Sequence, residues 1–136
     1  MIYLDTSAAC TLVLPELHSA ALVEWLDSRP AEPVVSSVLI EVELVRAVRR
    51  VAPDRVQDAR DALRFVNRVA LDAEIVRRAA DWPESSLRAL DAIHLATALQ
   101  LGIALDGEVG IVATYDERLR HAATAHHLLV ASPGVD

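Results

Sequence analysis

At 136 residues the chain has the size of one domain, and its 53 % apolar content excludes a disordered polymer. A formal charge of −7 argues against broad electrostatic adhesion to nucleic acid, and a single cysteine, Cys10, excludes an intramolecular disulfide or a thiolate metal cluster. All 13 basic residues are arginine, so P-loop and Schiff-base chemistry, which require lysine, are excluded too.

Residues 1–5 read as a buried strand ending at Asp5. Thr6 and Ser7 supply hydroxyl caps for a short helix that Pro15 stops. A second helix is expected over 17–27, with Leu22, Trp25 and Leu26 at helical spacing. Pro30 and Pro33 lead into a strand at 34–35, and Ser36 and Ser37 offer the next N-cap. Helices follow over 38–51, stopped before Pro53, and over 54–65. Residues 69–71 read as a central strand, succeeded by a helix over 73–82. The strongest helix is expected over 90–101, with Gly102 as its C′ residue. A strand over 111–114, a helix over 117–125 and a strand over 128–131 complete the chain. Alternating strands and helices indicate a parallel sheet sandwiched between helices. No uninterrupted apolar run approaches the roughly 18 residues that span a membrane. The first fourteen residues carry no Lys or Arg, so a secretory n-region is missing and the chain reads as cytoplasmic.

Four acids fall where a strand ends or a helix begins: Asp5, Glu43, Asp91 and Asp116. In an open parallel sheet, sites form in the crevice beyond the carboxyl ends of the strands. Carboxylates gathered there repel one another unless something positive holds them, and a hard divalent cation with oxygen ligands suits that task. Asp5 and Asp116 read equally well as N-caps of the helices that follow them. Glu41 and Glu43 lie about 200° apart on one helix, so both cannot face one site. Glu43 shares its face with Arg46 and Arg50. His94 stands one turn after Asp91; Asp-x-x-His could ligate a transition metal, although a histidine hydrogen-bonded beside the site is the favoured reading.

Most arginines between Arg46 and Arg68 read as solvated and paired, with a minority on the site side able to hold phosphate bidentately. Asp106 and Glu108 fall in a loop from which a water-mediated ligand could come. His126 and His127 are expected on opposite faces of a strand, which argues against their chelating one metal. Aspartyl-phosphate chemistry wants a second Asp two residues after the first and a Lys; Ser7 stands there instead, and there is no Lys.

These residues resemble a family. Ile2-Tyr3-Leu4-Asp5-Thr6-Ser7-Ala8 is similar to the first motif of PIN-domain ribonucleases of the VapC toxin type. Val42-Glu43-Leu44-Val45-Arg46-Ala47 resembles the second, and Leu90-Asp91-Ala92-Ile93-His94-Leu95-Ala96-Thr97-Ala98 the third. Thr114-Tyr115-Asp116-Glu117-Arg118-Leu119 resembles the fourth, and Ser132-Pro133-Gly134 a frequent closing element. The resemblance implies a single PIN-like domain over 1–136, an α/β/α sandwich of three layers with a short-stranded, mainly parallel central sheet and many helices. It implies an endoribonuclease dependent on Mg²⁺ or Mn²⁺, a homodimer, and a cognate VapB-like antitoxin whose tail enters the acidic pocket. Asp5, Glu43, Asp91 and Asp116 would be the catalytic, metal-binding acids. Thr6, Ser7 and Thr114 would supply hydroxyls beside them, with His94 in support and Arg46 and Arg50 toward phosphate. The alternative is a non-catalytic or DNA-directed PIN-like module whose acidic pocket binds an Arg-bearing partner.

Overall fold

A computed structural model describes residues 1–104 and 110–135. Among them, five short strands form one all-parallel sheet: β1 (Ile2–Leu4), β2 (Val34–Ser37), β3 (Asn67–Val69), β4 (Ile111–Ala113) and β5 (Leu129–Ala131), in the order β3-β2-β1-β4-β5. The helices are α1 (Thr6–Val13), α2 (Ser19–Asp27), α3 (Ile40–Val51), α4 (Val56–Ala62), α5 (Ala73–Ala80), α6 (Ala89–Ala104) and α7 (Glu117–Ala125).

The side-chain alternation of β1 divides the interior in two. Ile2 and Leu4 point to one face and join a cluster with Ala8, Leu22, Leu44, Val48 and Ala59 from α1 to α4. Tyr3 points to the other and packs with Leu95 and Ala98 of α6 and Leu119 and Ala123 of α7. Being covered on both faces is what makes β1 continuously apolar. Each fully buried Ile or Leu stabilises by about 1.5–3 kcal/mol. Gly110 lets β4 dock on β1: a Cβ there would meet the Met1 carbonyl oxygen at 2.5 Å, the oxygen that accepts the Ile111 amide hydrogen. Gly134, at φ +87°, turns the chain where the Val135 N–H reaches the Ser132 carbonyl.

Successive strands run outward from β1 to β3, and the chain then returns to the opposite flank of β1 with β4 and β5. The crevice between the carboxyl ends of β1 and β4 is therefore the topological switch point, where an open α/β sheet binds its ligands.

The structure corrects several local expectations. The third strand is Asn67–Val69, two residues earlier than expected, and it is an edge strand. Its register is set by pairing with β2, and exposed Asn67 and Arg68 suit an edge. The expected helix over 54–65 is broken into 3₁₀ turns at Pro53–Arg55 and Leu63–Phe65 around α4. Gly102 does not end its helix; buried, it lies inside α6, where packing outweighs a propensity cost of about 1 kcal/mol. Asp5, rather than Thr6 or Ser7, caps α1, while Ser36 and Ser37 belong to β2 and Leu39 precedes α3 without a side-chain cap. His126 and His127 lie in the turn after α7, His127 at φ 61°, and not on a strand. Among the described residues no helix is long and apolar enough to cross a membrane.

Candidate active site

Asp5 leaves β1 at the switch point, 4 % exposed. Its Oδ2 accepts the Ser7 amide (3.1 Å), the Ser7 hydroxyl (2.6 Å) and the Thr114 hydroxyl (2.9 Å). The cap and site readings of Asp5 thus coincide geometrically. Oδ2 is consumed by holding the carboxylate still, and among the described residues Oδ1 accepts nothing. Ser7 also ties the two strands together, since its Oγ accepts the Tyr115 amide hydrogen at 2.8 Å.

Glu43 approaches from α3. Its Oε2 accepts from the Thr6 hydroxyl at 3.0 Å and lies 2.7 Å from Nε2 of His94. Here too one carboxylate oxygen is taken by protein groups while the other stays free among the described residues. Glu41 faces away and pairs with Arg68 at 2.6 Å, so the register of α3 turns Glu43, not Glu41, toward Thr6 and His94. The helical geometry that set the two acids against each other in the sequence thus has one outcome in the fold.

His94 is 1 % exposed and held at both ends, Nδ1 lying 2.8 Å from the Tyr3 hydroxyl. Burial works against the charged imidazole. The hydrogen bond to Glu43 and the charges of Asp5, Glu43 and Asp91 outweigh it and hold the ring above its ordinary pKa. His94 is therefore a hydrogen-bonding support between Tyr3 and Glu43.

Asp91 sits in the first turn of α6, where the helix dipole favours an anion. Even so, burial, followed by the charges of Asp116 and Asp5, pushes its carboxyl above the ordinary range. Its Oδ2 is fully buried and has no hydrogen-bond partner among the described residues. Asp116 caps α7, Oδ1 accepting the amides of Arg118 (2.8 Å) and Leu119 (3.0 Å), with Arg118 at 3.8 Å from Oδ2. Among the described residues, no group of three or more His, Cys, Asp or Glu side chains stands close enough together to hold a metal ion directly. Asp106 and Glu108 lie outside the described residues.

Beside Glu43 opens a cavity of about 690 Å³, lined by Thr6, Val42, Glu43, Arg46, Arg49, Arg50 and Leu90. Arg46, Arg49 and Arg50 form no ion pair among the described residues, whereas eight other arginines do. Arg49 and Tyr3 were not singled out from the sequence. Arg49 shares the helix face of Arg46 and Arg50, and Tyr3 has the same strand parity as Asp5, so periodicity held a signal for both.

A PIN-domain family model matches residues 2–125. The chain is 44 % identical over 134 residues to Ribonuclease VapC35 of Mycobacterium tuberculosis, covering 98 % of each. It is 37 % identical over 132 residues to Ribonuclease VapC46 of the same organism, covering 97 % of each. Among solved structures, it superposes on M. tuberculosis VapC20, described as a Sarcin-Ricin loop cleaving toxin, with a TM-score of 0.74 at 19 % identity over 90 % of this chain and 95 % of that one. FitAcB from Neisseria gonorrhoeae gives 0.72 at 23 % identity, covering 98 % of both chains. Those two likenesses concern the fold, and the full-length sequence relatives carry the assignment: the chain belongs to the PIN-domain family, among its VapC-type ribonucleases.

Proposed function

We propose that the chain is a metal-dependent endoribonuclease, the toxin of a toxin–antitoxin pair, acting in the cytoplasm. One observation carries the metal-dependent part: the buried Oδ2 of Asp91, without a partner among the described residues, stands where burial and the charges of Asp116 and Asp5 already raise its carboxyl. An unpaired buried carboxylate is costly, and a cation would supply the missing partner. The donor set is all oxygen, which suits Mg²⁺ or Mn²⁺. Mg²⁺ keeps several waters and needs only one or two carboxylates, so an open arrangement is compatible with it. Asp5, Glu43, Asp91 and Asp116 would surround the ion, one or two of them binding it directly and the others through its waters. Bound there, it supplies Lewis acidity and charge neutralisation for a phosphodiester under in-line attack.

The chain's own residues have separable tasks. Thr114 and Ser7 fix Asp5, and Thr6 and His94 fix Glu43, so each acid presents its remaining oxygen without reorganising. Arg46, Arg49 and Arg50, which line the cavity and form no ion pair among the described residues, hold RNA phosphates along it. This local basic face lets a chain of net charge −7 bind a polyanion. The reading includes a homodimer and a VapB-like antitoxin whose tail enters the acidic pocket. Exposed apolar side chains such as Leu17 and Phe65 offer surface for such contacts.

The test is induced expression of the intact chain and of Asp5→Asn and Asp91→Asn, followed by mapping of new RNA ends. New ends with the intact chain alone are expected. Equal cleavage by the variants would remove these acids from the mechanism. Cleavage of DNA in preference to RNA, or capture of an Arg-bearing peptide with no cleavage at all, would overturn the ribonuclease reading.

A further inference from the structure

We propose that Tyr3 is a remote positioning residue for Glu43, acting through His94; the inference rests on the ribonuclease reading of the same site. Three hydrogen bonds join four polar groups into a chain across the interior, from the sheet to the crevice. The Ser37 amide donates to the Tyr3 hydroxyl at 3.1 Å, that hydroxyl meets Nδ1 of His94 at 2.8 Å, and Nε2 of His94 meets Oε2 of Glu43 at 2.7 Å. Tyr3 and His94 are each 1 % exposed, so water cannot replace a lost partner.

The order of hydrogens follows from valence. Nε2 faces the Glu43 carboxylate, which only accepts, so a neutral ring carries its hydrogen there and leaves Nδ1 to accept from the Tyr3 hydroxyl, whose oxygen in turn accepts the Ser37 amide hydrogen. Tyr3 therefore reinforces, from the far nitrogen, the tautomer that grips Glu43, much as an outer partner fixes the ring of a ligating histidine. Its ring stands edge-on to the imidazole, at 78° with centroids 5.9 Å apart, which blocks rotation of the ring as well. Ser37 belongs to β2, which pairs with β1, so the chain is anchored in the most buried part of the sheet. Thr6 gives Glu43 a second donor from α1, and the acid is thereby fixed from two elements.

Two readouts test this. The first is the ¹⁵N pattern of the His94 ring, followed by NMR above its titration, in the intact chain and in Tyr3→Phe. The intact chain should show the Nε2–H form, and Tyr3→Phe a mixture of both tautomers. A dominant Nδ1–H form in the intact chain, or an unchanged pattern in Tyr3→Phe, would overturn the proposal. The second is RNA cleavage with saturating Mg²⁺, run at that same pH, where the His94 ring is neutral. Tyr3→Phe should lower kcat by roughly 10-fold and leave KM within about twofold, because Glu43 is misplaced while the phosphate contacts remain.

His94→Leu should lose at least as much. His94→Gln, whose amide can still donate to Glu43, should recover part of it. Adding Tyr3→Phe to His94→Gln should cost less than about twofold more, since the tautomer no longer exists to be selected. Equal losses from Tyr3→Phe in both backgrounds would show that Tyr3 acts by packing alone. An intact chain that cleaves no RNA defeats the ribonuclease reading, and the NMR arm then still decides the role of Tyr3.

Discussion

Thr114 donates its hydroxyl hydrogen to Asp5 Oδ2 at 2.9 Å, joining the ends of two neighbouring strands across 109 residues of sequence. The same oxygen of Thr114 accepts the Asp116 amide hydrogen at 3.1 Å. One side chain therefore orients two of the proposed acids. Thr114→Val should cost about 1–3 kcal/mol, since it strips a donor from a buried carboxylate and an acceptor from a backbone amide. RNA cleavage should fall roughly 10-fold. Thr114→Ser should restore both, and chemical denaturation with single-turnover cleavage will measure them.

Asp91 gives a prediction about stability. Burial, then Asp116 and Asp5, raise its carboxyl in the folded chain above the unfolded value. A raised folded pKa contributes stability at acid pH that is lost as pH rises through that value. At neutral pH the cation-free protein is thus penalised by the charged form. Asp91→Asn should raise the melting temperature in chelator by a few degrees at pH 7, with the gain shrinking toward the ordinary carboxylate range. The same variant should lose the stabilisation that Mg²⁺ or Mn²⁺ gives the intact chain. A lower melting temperature for Asp91→Asn in chelator would contradict the account.

Glu41 and Glu43 should separate cleanly. Glu41 pairs with Arg68 on a half-exposed surface, an interaction worth up to about 1 kcal/mol. Glu41→Ala should leave cleavage unchanged and shift stability by no more than that. Glu43→Gln should lower cleavage by roughly 100-fold. Parallel melting curves and initial rates on one RNA substrate decide it.

Cys10 should behave as an inert core thiol. Burial, with the charges of Glu16, Asp5 and Glu43, pushes its pKa up to about 11. A rise of that size leaves roughly 100-fold less thiolate at pH 8 than in a free cysteine. Alkylation by iodoacetamide should be slower by about that factor in the native chain and normal in denaturant. A native rate equal to that of free cysteine would refute it.

Much of this arrangement was legible in the sequence, unevenly. β1 and β4 could be read because each is a short apolar run ended by a polar residue, and those runs carry Asp5 and Thr114. Helix periodicity reduced the second acid to Glu41 or Glu43, but the choice needed the tertiary partners Arg68 and His94. β3 was misplaced because an exposed edge strand, Asn67-Arg68-Val69, has no apolar alternation to mark it. Gly102 misled because its local cost is smaller than the burial of the helix around it. The role of Tyr3 depends on a contact 91 residues away in sequence, which no local pattern reports.

The switch point also has a bearing on when the site becomes complete. Asp5 leads the chain, while its partner Thr114 and the Tyr115 amide that Ser7 receives follow more than a hundred residues later. During synthesis, every growing chain that has not yet delivered β4 carries Asp5 without its full set of donors. Under the proposed reading, Asp5 is fully held, and the chain able to cleave, only once β4 has paired with β1.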